Sequence, residues 1–240
     1  WVYKYFKRKE LLFLNNADYT VSLTFSGKNE MLNWENVNGL NERIQVIPCC
    51  TDLNLFKPVD RDSEDFTLGY LGSLGTWYML KEMLLVYKSI LHKLPEAKFH
   101  FLTKDDPSLI YNQAKELVID TTNIFIEESE RKDIPFKTRN WNYSVFFILP
   151  CFSKLSSSPT KQGELMGMGI PIICNSGVGD VDSIVEKYES GCVVPLINEL
   201  NLDGILNRQF NKNDLVEGAK DYFSLEKGID SYFKIYQKIC

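Results

Sequence analysis

From residue 66 the chain alternates between two hydrophobic rhythms. "FTLGYLG" (66–72) is almost continuously apolar, as a strand covered on both faces should be, and the next apolar residues (Leu80, Met83, Leu84, Tyr87 and Leu91) recur at helical spacing. The alternation repeats. "AKFHFLT" (97–103) predicts a second strand, "SLIYNQAKELVI" (108–119) a helix, "NIFIEE" (123–128) a third strand and "SVFFILP" (144–150) a fourth. "PIIC" (171–174) and "CVVP" (192–195) are short fifth and sixth strands, with helices expected near 160–168, 180–188, 200–208 and 212–221. Strands alternating with helices predict an α/β fold, a Rossmann-like doubly wound parallel sheet.

The flanks follow other patterns. Residues 1–47 carry two helical stretches, a "YTVSLTF" strand and "IQVIP", too little to complete a second sheet alone. They are expected to be the remnant of an earlier domain, joined through a linker at 48–65 that contains "PCCTDLNLFKP" to the Rossmann-like domain at 66–222. The final segment, 223–240, predicts a helix with Leu225, Ile229, Tyr232, Phe233, Tyr236 and Ile239 on one stripe. That stripe has no obvious partner within the Rossmann-like domain and is expected to reach toward the missing part of the chain. The first residue is Trp1, so the chain is expected to be a piece of a longer protein.

Composition narrows the class. The 240 residues are 44% hydrophobic and 25% charged with a formal net charge of −5, which argues against a dedicated nucleic-acid binder. "WVYKYFKRKE" at the start is basic and aromatic; a solvated helix face is the expected reading, with contact to an anionic membrane surface as its rival. No apolar run reaches the ~18–20 residues of a membrane span, and no signal peptide opens the chain. Cysteines stand at 49, 50, 151, 174, 192 and 240 without C-x-x-C spacing, as expected of a reducing cytoplasm.

Candidate chemistry converges on one place. In a sheet of order 3-2-1-4-5-6 a ligand binds at the carboxyl ends of the first and fourth strands. Those strands run into "GSLGTWYML" (72–80) and "CFSKLSSSPTKQGE" (151–164). Gly72 and Gly75 let backbone approach a ligand, and Ser73 and Thr76 add hydroxyls. Ser158 is the expected N-cap of the second helix and Pro159 its first residue. The free N–H groups of that helix start favour a phosphate by roughly 0.3–2 kcal/mol. Lys161 puts a cation in the first turn, where the helix itself disfavours one and a bound pyrophosphate would favour it. Glu164 can accept two hydrogen bonds from vicinal ribose hydroxyls. Singly these signs are ordinary: GxxG is commonly a turn, a first-turn lysine is commonly solvated, and a first-turn glutamate commonly serves the helix dipole. Their convergence at the switch point favours a ligand site.

The remaining candidates read as structural. His92 and His100 show no partner pattern, Cys49–Cys50 is a chance pair of small residues, and "TKDDP" (103–107) is a turn with a helix cap. Trp77 and Tyr78 are split between stacking on a ligand and packing in a cleft.

"SPTKQGELMGMGIPIICNSGVGDVDSIV" resembles the nucleotide-sugar-binding segment of the family 4 retaining glycosyltransferases of GT-B fold, in their bacterial polysaccharide-biosynthesis branch. "VIPCCTDLNLFKP" is similar to that family's interdomain linker, "YLGSLGTWYMLKEML" to the first strand–loop–helix of its donor domain, and "SLEKGIDSYFKIYQKI" to its crossover helix. The resemblance implies two facing Rossmann-like domains and a UDP- or GDP-linked sugar held by the C-terminal one. It further implies transfer with retention to a glycan or lipid-linked acceptor, with no cofactor and no metal. Carried onto this chain, Gly72, Ser73 and Gly75 border the diphosphate, Thr160 donates its backbone N–H, Lys161 supplies charge and Glu164 clamps the ribose. The stretch 128–133 then lies near the base. Two positions depart from the pattern: Ser156 stands where many relatives carry a glutamate, and Ser73 where many carry an arginine. The expected location is the cytoplasm, with peripheral contact at the inner face of the plasma membrane through the missing domain. The chain alone is expected to bind the donor without transferring sugar. The rival readings are a catalytically silent binding domain and a dinucleotide-dependent enzyme; the latter is disfavoured because the first loop lacks G-x-G-x-x-G.

Overall fold

The computed structural model describes residues 1–194 and 201–239, so Leu200, Pro195 and Cys240 of the expected elements lie outside the described residues. The apolar run at 66–72 forms β3 (Thr67–Leu71), all five residues of which are buried. It sits third in a six-stranded sheet with β4 (Lys98–Leu102), β5 (Ile124–Glu127), β6 (Tyr143–Phe146), β7 (Ile172–Asn175) and β8 (Gly191–Val194). The order is β5-β4-β3-β6-β7-β8 and every pairing is parallel. This is the predicted doubly wound topology, with β3 and β6 neighbours at the switch point.

Helices cover both faces. α3 (Leu80–Leu91) buries Met83, Leu84, Val86, Tyr87 and Ile90, while α4 (Pro107–Glu116) is capped by Asp106, which accepts from Ser108 N–H at 2.9 Å. Stacked aromatics fill the core beneath them, with the Phe99 and Phe101 ring centroids 4.0 Å apart. On the sheet, Gly69 is glycine for a steric reason. A Cβ there would lie 1.9 Å from the indole of Trp141, which is 3% exposed. Trp141 donates through Nε1 to His100 Nδ1 at 3.1 Å.

Several expectations change. β6 stops at Phe146 rather than running to residue 150 because its continuation finds other partners. The Asn175 side chain accepts from Ile148 N–H and donates to Ile148 C=O, both at 2.8 Å, and Leu149 N–H donates to Trp77 C=O at 2.8 Å. The fourth strand's tail is thereby tied to the loop after the first. A short helix with Pro135 in its first turn, α5 (Ile134–Thr138), and a 3₁₀ turn at Phe152–Ser156 were not expected.

α6 (Thr160–Gly167) is wholly buried from Lys161 onward. Its glycines permit this: a Cβ on Gly163 would meet Thr51 and Phe223 at 2.5 and 2.8 Å, and one on Gly167 would meet Leu53 and Phe56 at 2.7 Å. The helix is clamped between the sheet, the linker and the segment after α9 (Lys212–Tyr222). α7 (Val181–Lys187) and α8 (Leu202–Leu206) complete the helical layers.

Residues 1–47 form α1 (Val2–Asn16), β1 (Thr20–Ser22), α2 (Phe25–Leu32) and β2 (Ile44–Val46), with β1 and β2 in a parallel pair. Asp180 anchors this segment, accepting from Phe25 N–H (2.6 Å), Ser26 N–H (2.9 Å) and Tyr222 O–H (3.3 Å). α10 (Leu225–Ile239) leaves its predicted stripe uncovered: Leu225 is 41% and Phe233 61% exposed, whereas Gly228 and Ile235 are buried. Among the described residues no helix is long and apolar enough to cross a membrane.

Candidate functional site

The crevice opens where β3 and β6 end. Gly72, at φ +115°, turns the chain out of β3 in a conformation that side chains disfavour, and its N–H donates to Leu102 C=O at 3.0 Å. A Cβ on Gly72 would sit 3.1 Å from Lys161 Nζ, so the missing side chain is what lets the ammonium lie against this turn. Asp105 holds the loop by accepting from Leu74 N–H, and Ser73 C=O accepts from Tyr70 O–H at 2.5 Å. Ser73 Oγ accepts from Gly75 N–H at 3.2 Å; Ser73, Gly75 and Thr76 are exposed.

Lys161 is 8% exposed, and its Nζ has no hydrogen-bond partner among the described residues. It faces aromatic rings instead, 3.9 Å from the Tyr78 centroid and 4.6 Å from that of Tyr70. Burial pushes its ammonium down to about 7 from the usual 10.5, against the raising effect of Glu164. The ring faces attract the charged form, by roughly 2 kcal/mol where water is excluded, but accept no hydrogen bond of ordinary strength. An ammonium left in this way at a buried helix start is disposed to receive an anion.

Glu164, one turn on, is also buried, and Arg131 Nη1 lies 2.8 Å from its Oε1. The guanidinium N–H groups are poorly aimed at that oxygen, which lacks a well-formed hydrogen bond. Burial raises the Glu164 carboxyl above the usual range, and Arg131 and Lys161 oppose the rise. Arg131 itself stacks 4.6 Å from the Phe56 centroid.

Two hollows flank the Gly72–Lys161 contact. One, of about 370 Å³, is lined by Trp77, Tyr78, Lys154, Ser156, Thr160 and Lys161 among others, with Leu23 contributed by the N-terminal segment. The other, of about 280 Å³, is lined by Gly72, Ser73, Leu102, Thr103, Lys104 and Ser129, among others. The switch-point residues Gly72, Ser73, Ser158, Thr160 and Lys161 therefore gather around one crevice, with Glu164 behind it. Gly75 and Thr76 line neither hollow.

Ser158 does not cap α6. Its hydroxyl accepts from Cys49 N–H at 3.1 Å, tying the linker to the helix, while Pro159 takes the N-cap position and leaves the first turn without a side-chain cap. His100 has partners after all: its Nε2 lies 3.0 Å from Glu127 Oε1, and burial lowers its pKa despite that carboxylate. Those groups line a separate hollow of about 320 Å³ away from the switch point, where Glu127 pairs with both His100 and Lys137. The carboxylates of "TKDDP" are engaged by Leu74 and Ser108. Trp77 and Tyr78 both line the crevice and take the ammonium groups of Lys154 and Lys161 on their rings. Sequence reasoning missed Lys154 as a lining residue and the pairing of Arg131 with Glu164; both lie on irregular segments whose placement no periodicity announces.

No protein-family model matches the chain, and no curated protein matches it. Solved structures do. Sucrose-phosphate synthase from Thermosynechococcus elongatus is 17% identical with a TM-score of 0.74, over 96% of this chain and 60% of that one. TarM is 14% identical at 0.72, over 96% of this chain and 45% of its own. Anabaena HepE in complex with UDP-glucose is 14% identical at 0.68, over 97% and 66%. The chain thus has the fold of the C-terminal half of a GT-B glycosyltransferase and spans 60%, 45% and 66% of the three structures named.

Proposed function

We propose that the chain is the donor-binding part of a glycosyltransferase, holding a nucleotide-diphosphate sugar for retaining, metal-independent transfer to a glycan or lipid-linked acceptor in surface polysaccharide biosynthesis. The observation that carries this reading is the buried, unpartnered Lys161 ammonium lying against Gly72 at the start of α6. In the proposed reaction the bond between the anomeric carbon and the diphosphate breaks, and negative charge grows on the departing phosphate. Lys161 and the N–H groups of the α6 first turn stabilise that charge where it develops. Glu164 accepts the ribose hydroxyls, and the hollow beyond Gly72, with Ser129 in its lining, takes the base. UDP or GDP is the expected nucleotide, and four of the similar structures were solved with UDP or UDP-glucose.

Among the lining residues of the larger hollow only Leu23 comes from the first 47. We therefore expect the chain by itself to bind the donor without transferring sugar. One observation favours a catalytically silent binding domain: Ser156 occupies the position at which many members of the resembling family carry a glutamate, and among the described residues no carboxylate lines that hollow. A thermal-shift screen against UDP, GDP, ADP, CMP and NAD tests the donor reading. UDP or GDP is expected to raise Tm; stabilisation by NAD alone, or by none of the five, overturns it. Sugar transfer by the full-length protein separates the enzyme from the silent domain.

A further inference from the structure

Resting on the donor reading above, we propose that Lys154 is a second diphosphate-binding cation, whose ammonium pairs with the phosphate that carries the sugar. Lys161 and the α6 first turn hold the phosphate next to the nucleoside. A nucleotide-diphosphate sugar brings one negative charge on each phosphate, whereas Lys161 and the free N–H groups of the helix start supply roughly one and a half positive charges between them. The shortfall grows once the sugar has left, because the end phosphate then carries about 1.5–2 negative charges.

The lining of the larger hollow can make up the difference. Among the described residues it contains Lys154 and Lys161 and no acidic side chain, in a chain whose net charge is −5. Positive charge is thus gathered at the crevice against the balance of the whole molecule, an arrangement that draws in an anion. Consecutive rings hold the two ammonium groups: Lys154 Nζ lies 4.4 Å from the Trp77 centroid and Lys161 Nζ 3.9 Å from that of Tyr78. A ring attracts a cation without neutralising it, and Lys154 makes no ion pair among the described residues, so its charge stays free for a ligand.

The two hollows set the order of the phosphates. The base is assigned to the hollow beyond Gly72, which Lys154 does not line, and Lys161 lies against Gly72 where the hollows meet. A diphosphate running from the base past Lys161 therefore enters the larger hollow with its far phosphate, on the side of Lys154. The lysine waits there on a fixed segment. Lys154 N–H donates to Cys151 C=O at 2.8 Å, its C=O accepts from Gly179 N–H at 2.8 Å, and Thr24 Oγ1 donates to the next carbonyl, Leu155 C=O, at 2.7 Å.

Calorimetric titration of the chain with UDP, UMP, GDP and GMP tests this. Lys154→Met should lower the ratio of diphosphate to monophosphate affinity about tenfold, the worth of one charge-assisted hydrogen bond. Monophosphate affinity should stay within about twofold of wild type, with an unchanged circular-dichroism spectrum. Lys154→Arg, which restores the charge, should keep the ratio within about threefold of wild type. An unchanged ratio in Lys154→Met, whether both affinities hold or fall together, overturns this inference alone, since Lys154 would then be solvated or would only shape the crevice. Failure of both UDP and GDP to bind the wild-type chain overturns the donor reading and this inference with it.

Discussion

Replacing Lys161 by methionine should make the protein more stable and a poorer binder at once. The side chain keeps its length and loses its charge. In the unfolded chain the ammonium titrates at the usual 10.5, and in the fold burial holds it at about 7. A lysine with a lowered folded pKa costs stability fully below that value, and the cost fades as pH rises toward 10.5. At 1.36 kcal/mol per pH unit the penalty near neutral pH is ~4–5 kcal/mol. The Tyr78 and Tyr70 rings return roughly 2 kcal/mol of it through cation–π attraction. Lys161→Met is therefore expected to gain on the order of 1–3 kcal/mol, or about 2–10 °C in Tm for a chain of this size. Differential scanning calorimetry at neutral pH reads the gain, and calorimetric titration with UDP and GDP should show at least tenfold weaker binding. The wild-type site carries a second signature. Diphosphate affinity should fall as pH rises through about 7, where the free ammonium loses its proton, and the variant should lack that slope. A lower Tm in the variant together with unchanged nucleotide affinity would refute the reasoning, because Lys161 would then be a structural residue.

Three further outcomes follow from named contacts. Arg131→Met removes the cation 2.8 Å from Glu164 and lets burial raise the carboxyl further, so the acid-side loss of nucleotide affinity should move to higher pH in titrations between about pH 5 and about pH 8. Gly69→Ala drives a Cβ into the Trp141 indole and should cost about 3 kcal/mol or more, read as a fall in Tm of roughly 6–12 °C. Asp180→Ala frees the Phe25 and Ser26 amides at a cost of about 2–3 kcal/mol, and hydrogen exchange should rise there while β3 and β6 stay protected.

The sheet was legible because parallel strands covered on both faces must be apolar throughout, and β3, with all five residues buried, is the plainest case. Turns that end strands are harder. Residues 147–150 are apolar enough to extend β6, yet Asn175 and Trp77 claim their backbone groups, and a tertiary contact of that kind leaves no local pattern. Ser158 has the chemistry of a cap, but its hydroxyl goes to the linker. Lys161 and Glu164 stood out through their place at a helix start on the switch point; the structure puts Lys161 in the crevice lining and Glu164 buried behind it. Their burial was not legible, since it depends on glycines at 163 and 167 admitting Phe223 and Phe56. Arg131 and Lys154 were still less so: a charged residue in an irregular segment looks solvated until the fold decides what it faces.

Trp77 and Trp141 differ in a way that equips the protein with two optical probes. Trp141, sealed over Gly69 and hydrogen-bonded to His100, is 3% exposed, and Trp77, beneath Lys154 at the crevice, is 44% exposed. Emission from the first belongs to an apolar enclosure and reports whether the sheet is intact. Emission from the second comes from a wetter ring beside a positive charge. A ligand that draws Lys154 away or dries the crevice changes its colour and brightness without disturbing the other. With the chain's other two tryptophans, Trp1 and Trp34, replaced by phenylalanine, occupancy and unfolding leave separable spectral traces with no label attached.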